Sequence, residues 1–200
     1  MPSVENISVL LLAALPLMAS PGPATVGSAA SGATFGLRRS VPFLAGIILG
    51  TMLVLILVSC GVTGLVLAIP GAAPVILAVG CTYILYLAYK IATAPPISTA
   101  TATTAAPTVT GGLIVGLANP KSYAVFGALL SSVVLVPTAP TLDAIFKVAV
   151  LSGMIVAVNS VWLVFGATFS RVLSTPRLAR AVNIGFAVLL IGSLAIAVLP

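Results

Sequence analysis

Two short stretches of this sequence combine helix breakers with groups able to hold a charged ligand. The first reads Leu17-Met18-Ala19-Ser20-Pro21-Gly22-Pro23, the second Gly116-Leu117-Ala118-Asn119-Pro120-Lys121-Ser122. A proline has no N–H and clashes with the carbonyl four residues earlier. Pro23 therefore frees the carbonyl of Ala19, Pro21 that of Leu17 and Pro120 that of Gly116. Beyond each break a new half-helix begins, and its first N–H groups have no internal partner. Such N-termini carry partial positive charge and suit an anion. The freed carbonyls, with Ser20 and Asn119, suit an ammonium or another cation. One cavity could thus hold both ends of a zwitterion. Ser20, Pro21, Gly22, Pro23, Asn119, Pro120 and Lys121 are the candidate substrate-binding residues. The plainer alternative is a pair of proline kinks filled by Ser and Asn side chains.

The elements that must carry these breaks follow from composition. Of 200 residues, 60% are hydrophobic and 5% charged, against about 25% charged in a soluble domain. Mean hydropathy is +1.32. So little charge cannot cover a water-facing surface, which excludes an ordinary soluble enzyme and a disordered chain. The net charge of +6 contains no basic run longer than Arg38-Arg39, so no phosphate-binding stripe exists and nucleic acid is excluded as a partner. The partner is the lipid bilayer: this is an integral membrane protein. Its first apolar stretch carries the acidic Glu5 and no basic residue before Arg38, unlike a secretory signal. It reads as a retained helix.

A bilayer core of about 30 Å takes about 20 helical residues. The 32 uncharged residues between Glu5 and Arg38 exceed one straight span, and the 50 between Arg39 and Lys90 hold two spans joined by a turn at 69–74. Residues 95–110 form an Ala/Thr/Pro linker with no helical face to bury. Spans near 112–136, 146–169 and 181–199 complete six. Arg38, Arg39, Lys90, Arg171, Arg177 and Arg180 then share one side, with Lys147 on the other near Asp143. The positive-inside rule puts both termini in the periplasm.

The linker separates two three-span halves, 1–94 and 111–200, each opening with an interrupted helix. Aligning Pro21 on Pro120 also pairs Ser20 with Asn119 and Ala19 with Ala118. The fold class expected is all-α and integral to the membrane, with six helices as two inverted three-helix repeats and broken first helices. Matching breaks in two halves are the best sequence pointer to a transporter binding site. Lys121 strengthens it, standing a dozen residues inside the fourth span, or ~16–18 Å at 1.5 Å per residue. A charge at that depth costs at least ~2.5–3.5 kcal/mol and is functional by default. No carboxylate in a span can pair with it, so an unpartnered lysine beside a helix N-terminus reads as a carboxylate receptor; snorkelling is the alternative.

Other features have structural readings. Gly32/Gly36, Gly46/Gly50 and Gly112/Gly116 are GxxxG pairs that permit close helix approach, as internal contacts more than as a homodimer face. Thr51 and Asn159 either line a pathway or bond across helices. Trp162, Tyr83 and Tyr86 are interfacial anchors or packing residues. Cys60 and Cys81 are small packing residues. Without histidine or a cysteine framework no metal site or cofactor is expected.

Taken together, Ser20-Pro-Gly-Pro23, Gly46-x-x-x-Gly50, Gly80-Cys-Thr-Tyr-Ile-Leu-Tyr-Leu-Ala-Tyr-Lys90 and Gly116-Leu-Ala-Asn-Pro-Lys121 resemble the LysE/RhtB family of amino-acid exporters over nearly the whole length. The resemblance implies an exporter of amino acids or derivatives in the bacterial inner membrane, driven by the proton gradient. Members of that family often carry Asp directly after Pro-Gly-Pro and a polar or acidic residue after the second-span glycines. Here these are Ala24 and Thr51, which argues against coupling through a membrane carboxylate and against a cationic substrate such as lysine. The rival classes are a passive channel, an exporter of another small metabolite or ion, and a membrane-embedded hydrolase using Ser122 with Lys121.

Overall fold

The computed structural model describes residues 4–61, 70–93, 107–172 and 176–198, all helices and their connections, with no strand among them. Seven helices occur in these segments: α1 (Val4–Ala19), α2 (Pro23–Ser59), α3 (Ala72–Ala92), α4 (Val109–Leu117), α5 (Pro120–Ser132), α6 (Pro140–Val172) and α7 (Pro176–Val198). Most of the expected 95–110 linker lies outside the described residues. Its end is already structured, since Thr108 caps α4 by accepting the Gly111 N–H.

The 37-residue run of α2 is a hairpin. Gly36 is non-helical at φ 76° and ψ 167°, a left-handed φ that glycine adopts without a Cβ clash. The Ser31 hydroxyl donates to the Ser40 hydroxyl at 2.9 Å. In a straight helix nine residues would separate them by about 13.5 Å, so the arms 23–35 and 37–59 fold onto each other. Gly36 is therefore the turn beside Arg38-Arg39, and not half of a packing pair with Gly32 as its spacing suggests. It has nothing within 4 Å of where a Cβ would stand.

The first arm is the axis of the molecule. Every residue from Pro23 to Phe35 is buried, because its run of Ala, Gly and Ser lets neighbours approach from all sides. Its hydroxyls are bonded internally: Ser28 donates to the Ala24 carbonyl at 2.9 Å, and Thr34 donates to Asn183 Oδ1 of α7 at 3.2 Å. Ala24, Val26, Ala29, Ala30 and Ala33 form one core with Phe43, Ile47, residues of α3 and Phe186 of α7. A second core joins Leu10 and Ala14 of α1 to Val54, Leu55, Phe126, Leu129, Leu151 and Ile155. Outward faces are apolar too, with Leu12 at 73%, Tyr89 at 68% and Val161 at 66% exposure. Apolar residues on both faces mark helices that lie in lipid.

Two crossings bring backbones into contact. On the second arm of α2, a Cβ at Gly46 would strike the Val109 carbonyl, and one at Gly50 would stand 2.6 Å from the Leu113 carbonyl. Reciprocally, a Cβ at Gly112 would strike the Phe43 carbonyl, and one at Gly116 would stand 2.7 Å from that of Ile47. The two GxxxG motifs therefore face each other within one chain. Gly166 of α6 meets the backbone of Ala29 in the same way. The helices before the two breaks differ in setting: α1 is largely exposed, whereas α4 lies against α2.

By length and hydropathy, Pro23–Ser59 and Pro140–Thr168 are long and apolar enough to cross a membrane among the described residues. The pair α4 and α5, bent by 55°, passes the same test only when the two helices are counted as one span. Asp143 in the first turn of α6 accepts the Leu135 and Val136 N–H groups and pairs with Lys147 at 2.7 Å. Lys147, expected as a loop charge, is instead only 4% exposed. Its ammonium also donates to the Leu130 carbonyl at 2.8 Å. The glycine crossings give a direct test. Gly112→Ala should destabilise the protein by about 1–3 kcal/mol through overpacking. Gly127→Ala, where a Cβ meets nothing within 4 Å, should be neutral or slightly stabilising on helix propensity. Thermal unfolding in detergent reads both.

Candidate functional site

The two breaks meet. Ser20, Pro21 and Gly22 separate α1 from α2, while Ala118 and Asn119 separate α4 from α5. Across the gap the Lys121 ammonium donates to the Ser20 hydroxyl at 2.8 Å and also to the Ser20 carbonyl. Gly22 makes room for the lysine: a Cβ there would stand 2.8 Å from Lys121 Cδ and 3.3 Å from its Nζ. Of the candidate residues, Ser20, Gly22 and Lys121 are in direct register, and Asn119 is buried beside them. Pro21 is exposed; Pro23 and Pro120 occupy the first turns of α2 and α5.

The backbone groups freed by the prolines are taken up largely by side chains. The Ser20 hydroxyl donates to the Leu17 carbonyl at 2.9 Å, released by Pro21. The Trp162 indole donates to the Ala19 carbonyl at 3.2 Å, released by Pro23, so Trp162 serves the break itself. The Tyr123 hydroxyl donates to the Leu117 carbonyl at 2.8 Å. Thr25 Oγ1 accepts the Gly22 N–H at 2.9 Å and lies 3.2 and 3.3 Å from the Gly22 and Ser20 carbonyls, either of which can take its proton.

The two new N-termini differ. Asn119 caps α5, its Oδ1 accepting the Lys121 N–H at 3.2 Å. The first turn of α2 begins at Gly22 and has no side-chain cap. A buried helix N-terminus beside a lysine ammonium is a region of positive potential. No acid neutralises it: of the chain's two acids, Glu5 is exposed at the start of α1 and Asp143 is paired with Lys147.

Next to the lysine is a cavity with about 40 Å³ open to water centres, room for about three waters at 10–15 Å³ each. Gly22, Thr25, Thr51, Asn119, Lys121 and Asn159 supply its polar lining; apolar residues, among them Val125, Phe126 and Ile155, supply the rest. Thr51 and Asn159 thus line a cavity and make no bond across helices, since Asn159 Nδ2 donates within its own helix to the Ile155 carbonyl at 2.9 Å. Thr25 and Ser122 were absent from the sequence-based site. Thr25 was detectable, because a threonine three residues after Gly22 is the position from which a side chain reaches back over a helix start.

The Ser–Lys hydrolase reading pairs Ser122 with Lys121; the lysine ammonium instead donates to the Ser20 hydroxyl and carbonyl across the gap. No cluster of metal-ligating residues occurs among the described residues.

Apolar helices broken around an internal cationic cavity define a membrane protein of the transporter class. The chain belongs to the LysE type translocator family, whose family model matches residues 15–199. Similar curated proteins include the cysteine/O-acetylserine efflux protein of Escherichia coli O157:H7, 30% identical over 173 residues. The protein of the same name from Salmonella typhimurium is 29% identical over 176 residues. Each alignment covers 86% of this chain and 87% of the relative. No solved structure matches.

The break at Gly22 yields a test independent of any substrate. Thr25→Val keeps the shape of the side chain but leaves the buried Gly22 N–H without its acceptor. That should cost about 1–3 kcal/mol and lower the thermal midpoint, whereas Thr25→Ser should remain near the native value.

Proposed function

We propose that this protein exports a small neutral amino acid or derivative across the bacterial inner membrane by alternating access. The observation that carries the proposal is the Lys121 ammonium held between two helix breaks, beside a cavity whose lining includes Thr25, Thr51, Asn119 and Asn159 and no acid. Lys121 and the first turn of α2 receive the substrate's carboxylate. The relatives named for cysteine and O-acetylserine efflux carry substrates of this size and charge. The cavity, at about 40 Å³, has room for water and not for an amino acid, so in this reading it must widen for the substrate to enter.

In this reading six spans cross the membrane as two inverted repeats. α1 with the first arm of α2 is one span, the second arm the next, then α3, the bent α4–α5 pair, α6 and α7. The turn at Gly36 beside exposed Arg38 and Arg39 supports counting the arms separately. The arginine-rich connections face the cytoplasm and both termini the periplasm. A reporter active only in the periplasm, fused after residue 200, should be active; activity of a cytoplasm-only reporter would refute the arrangement.

Purified protein in liposomes loaded with L-cysteine should accumulate labelled L-cysteine by counterflow, which a channel cannot do. Lys121→Met keeps the stem and removes the charge. The fold should tolerate it, because an ammonium without an acidic partner is costly to bury. Loss of a charge-assisted contact of ~1.5–3 kcal/mol should weaken binding roughly tenfold to a hundredfold. Amidating the substrate to L-cysteinamide should cost the native protein as much and the variant little more. If the two losses add, Lys121 does not read the carboxylate.

A further inference from the structure

Two buried polar atoms of the cavity have no use in the proposed carboxylate site. Among the described residues, Thr51 Oγ1 and Asn159 Oδ1 are the buried side-chain polar atoms without a hydrogen-bond partner. Both residues are 5% exposed, and both line the cavity that Lys121 lines. They reach it from different elements, Thr51 from the second arm of α2 and Asn159 from α6. Buried polar groups are nearly always bonded, and leaving one unpaired is costly. Two in one cavity therefore point to a visitor.

Their chemistry says which end of the visitor they meet. Asn159 Nδ2 donates to the Ile155 carbonyl, and its unpartnered Oδ1, an amide carbonyl oxygen, can only accept. The Thr51 hydroxyl can also accept. We propose that Thr51 and Asn159 form the subsite for the substrate's α-ammonium, a group with several N–H donors and no acceptor. The inference rests on the export reading above and deepens it. Lys121 and the α2 N-terminus hold the carboxylate, and neutral oxygens hold the ammonium. The filled cavity then has the single positive charge it had when empty. A second ammonium on the substrate would face Lys121 with no acid to offset it, so the site takes neutral zwitterions and rejects cationic amino acids.

The test uses competitors of labelled L-cysteine exchange in proteoliposomes: 3-mercaptopropionate lacks the amine, L-cysteinamide lacks the carboxylate and L-alanine lacks the thiol. The native protein should bind 3-mercaptopropionate about tenfold or more weakly than L-cysteine. In Thr51→Val or Asn159→Leu, L-cysteine should weaken toward 3-mercaptopropionate, which itself should change by less than about twofold. Discrimination against L-cysteinamide should persist in both variants, showing the Lys121 side intact, and Thr51→Ser should behave as native. If L-cysteine and 3-mercaptopropionate weaken by the same factor, the pair holds packing or water and the subsite is refuted. If the variants instead lose discrimination against L-alanine, the pair reads the side chain, which also refutes it. Absence of exchange by the native protein overturns the export reading and this subsite together; exchange with additive losses overturns the subsite alone.

Discussion

A helix interrupted inside hydrocarbon leaves N–H and C=O groups that no lipid can satisfy, each costing several kcal/mol if left bare. The break at Ser20-Pro21-Gly22 is tolerated here because the protein surrounds it with its own donors and acceptors. Ser20, Trp162, Thr25 and Lys121 each answer one or more of the exposed groups. These side chains come from three regions of the chain, so α5 and α6 must be docked before the break is satisfied. The rest of the architecture follows from that requirement. The glycine crossings at Gly46, Gly50, Gly112 and Gly116 press α4 onto α2, which places the second break opposite the first.

The same constraint explains why the central arm is built from small residues. An arm buried from Pro23 to Phe35 gains little from hydrophobic burial inside a membrane, where lipid is as apolar as the protein. It gains dispersion contacts from close approach instead. A Cβ at Gly32 or Gly166 would meet backbone atoms of the facing helix, and backbone cannot swing aside as a side chain can. Gly22 differs, because what a Cβ would meet there is the flexible end of Lys121. That position governs where the ammonium sits more than whether the helices pack.

Much of this was legible in the sequence because it is written in residues with single physical meanings. Prolines at 21, 23 and 120 cluster where α1 gives way to α2 and α4 to α5, although Pro16 and Pro42 sit inside helices, and a lysine in an apolar run without acids needs an explanation. The GxxxG spacing at 46/50 and 112/116 announced close contact, and the two motifs are one another's partners. The same spacing misled at Gly32/Gly36, since a glycine that packs and a glycine that turns look alike until φ is known. Trp162 gave no hint that its indole would serve the Ala19 carbonyl, 143 residues away in sequence. Long-range pairing of that kind depends on how helices rotate about their axes, and an apolar helix with exposed hydrophobics on every side carries no periodic signal to fix the rotation.

A lysine suits this place better than an arginine would. Its ammonium is a compact point charge on a flexible stem, whereas a guanidinium locks into a planar fork. In the observed state the ammonium rests on Ser20, a neutral partner that holds it without cancelling its charge. A carboxylate partner would bind it far more firmly, as Asp143 binds Lys147 at the edge of α6, and the charge would then be unavailable to a ligand. The chain thus contains two lysines within apolar sequence, one buried at 147 and one half-buried at 121. The one at 147 is closed by an acid and ties α6 to α5 through the Leu130 carbonyl. The one at 121 is left electrostatically open, and under the export proposal that openness lets an incoming carboxylate compete with a hydroxyl and a carbonyl instead of with another anion.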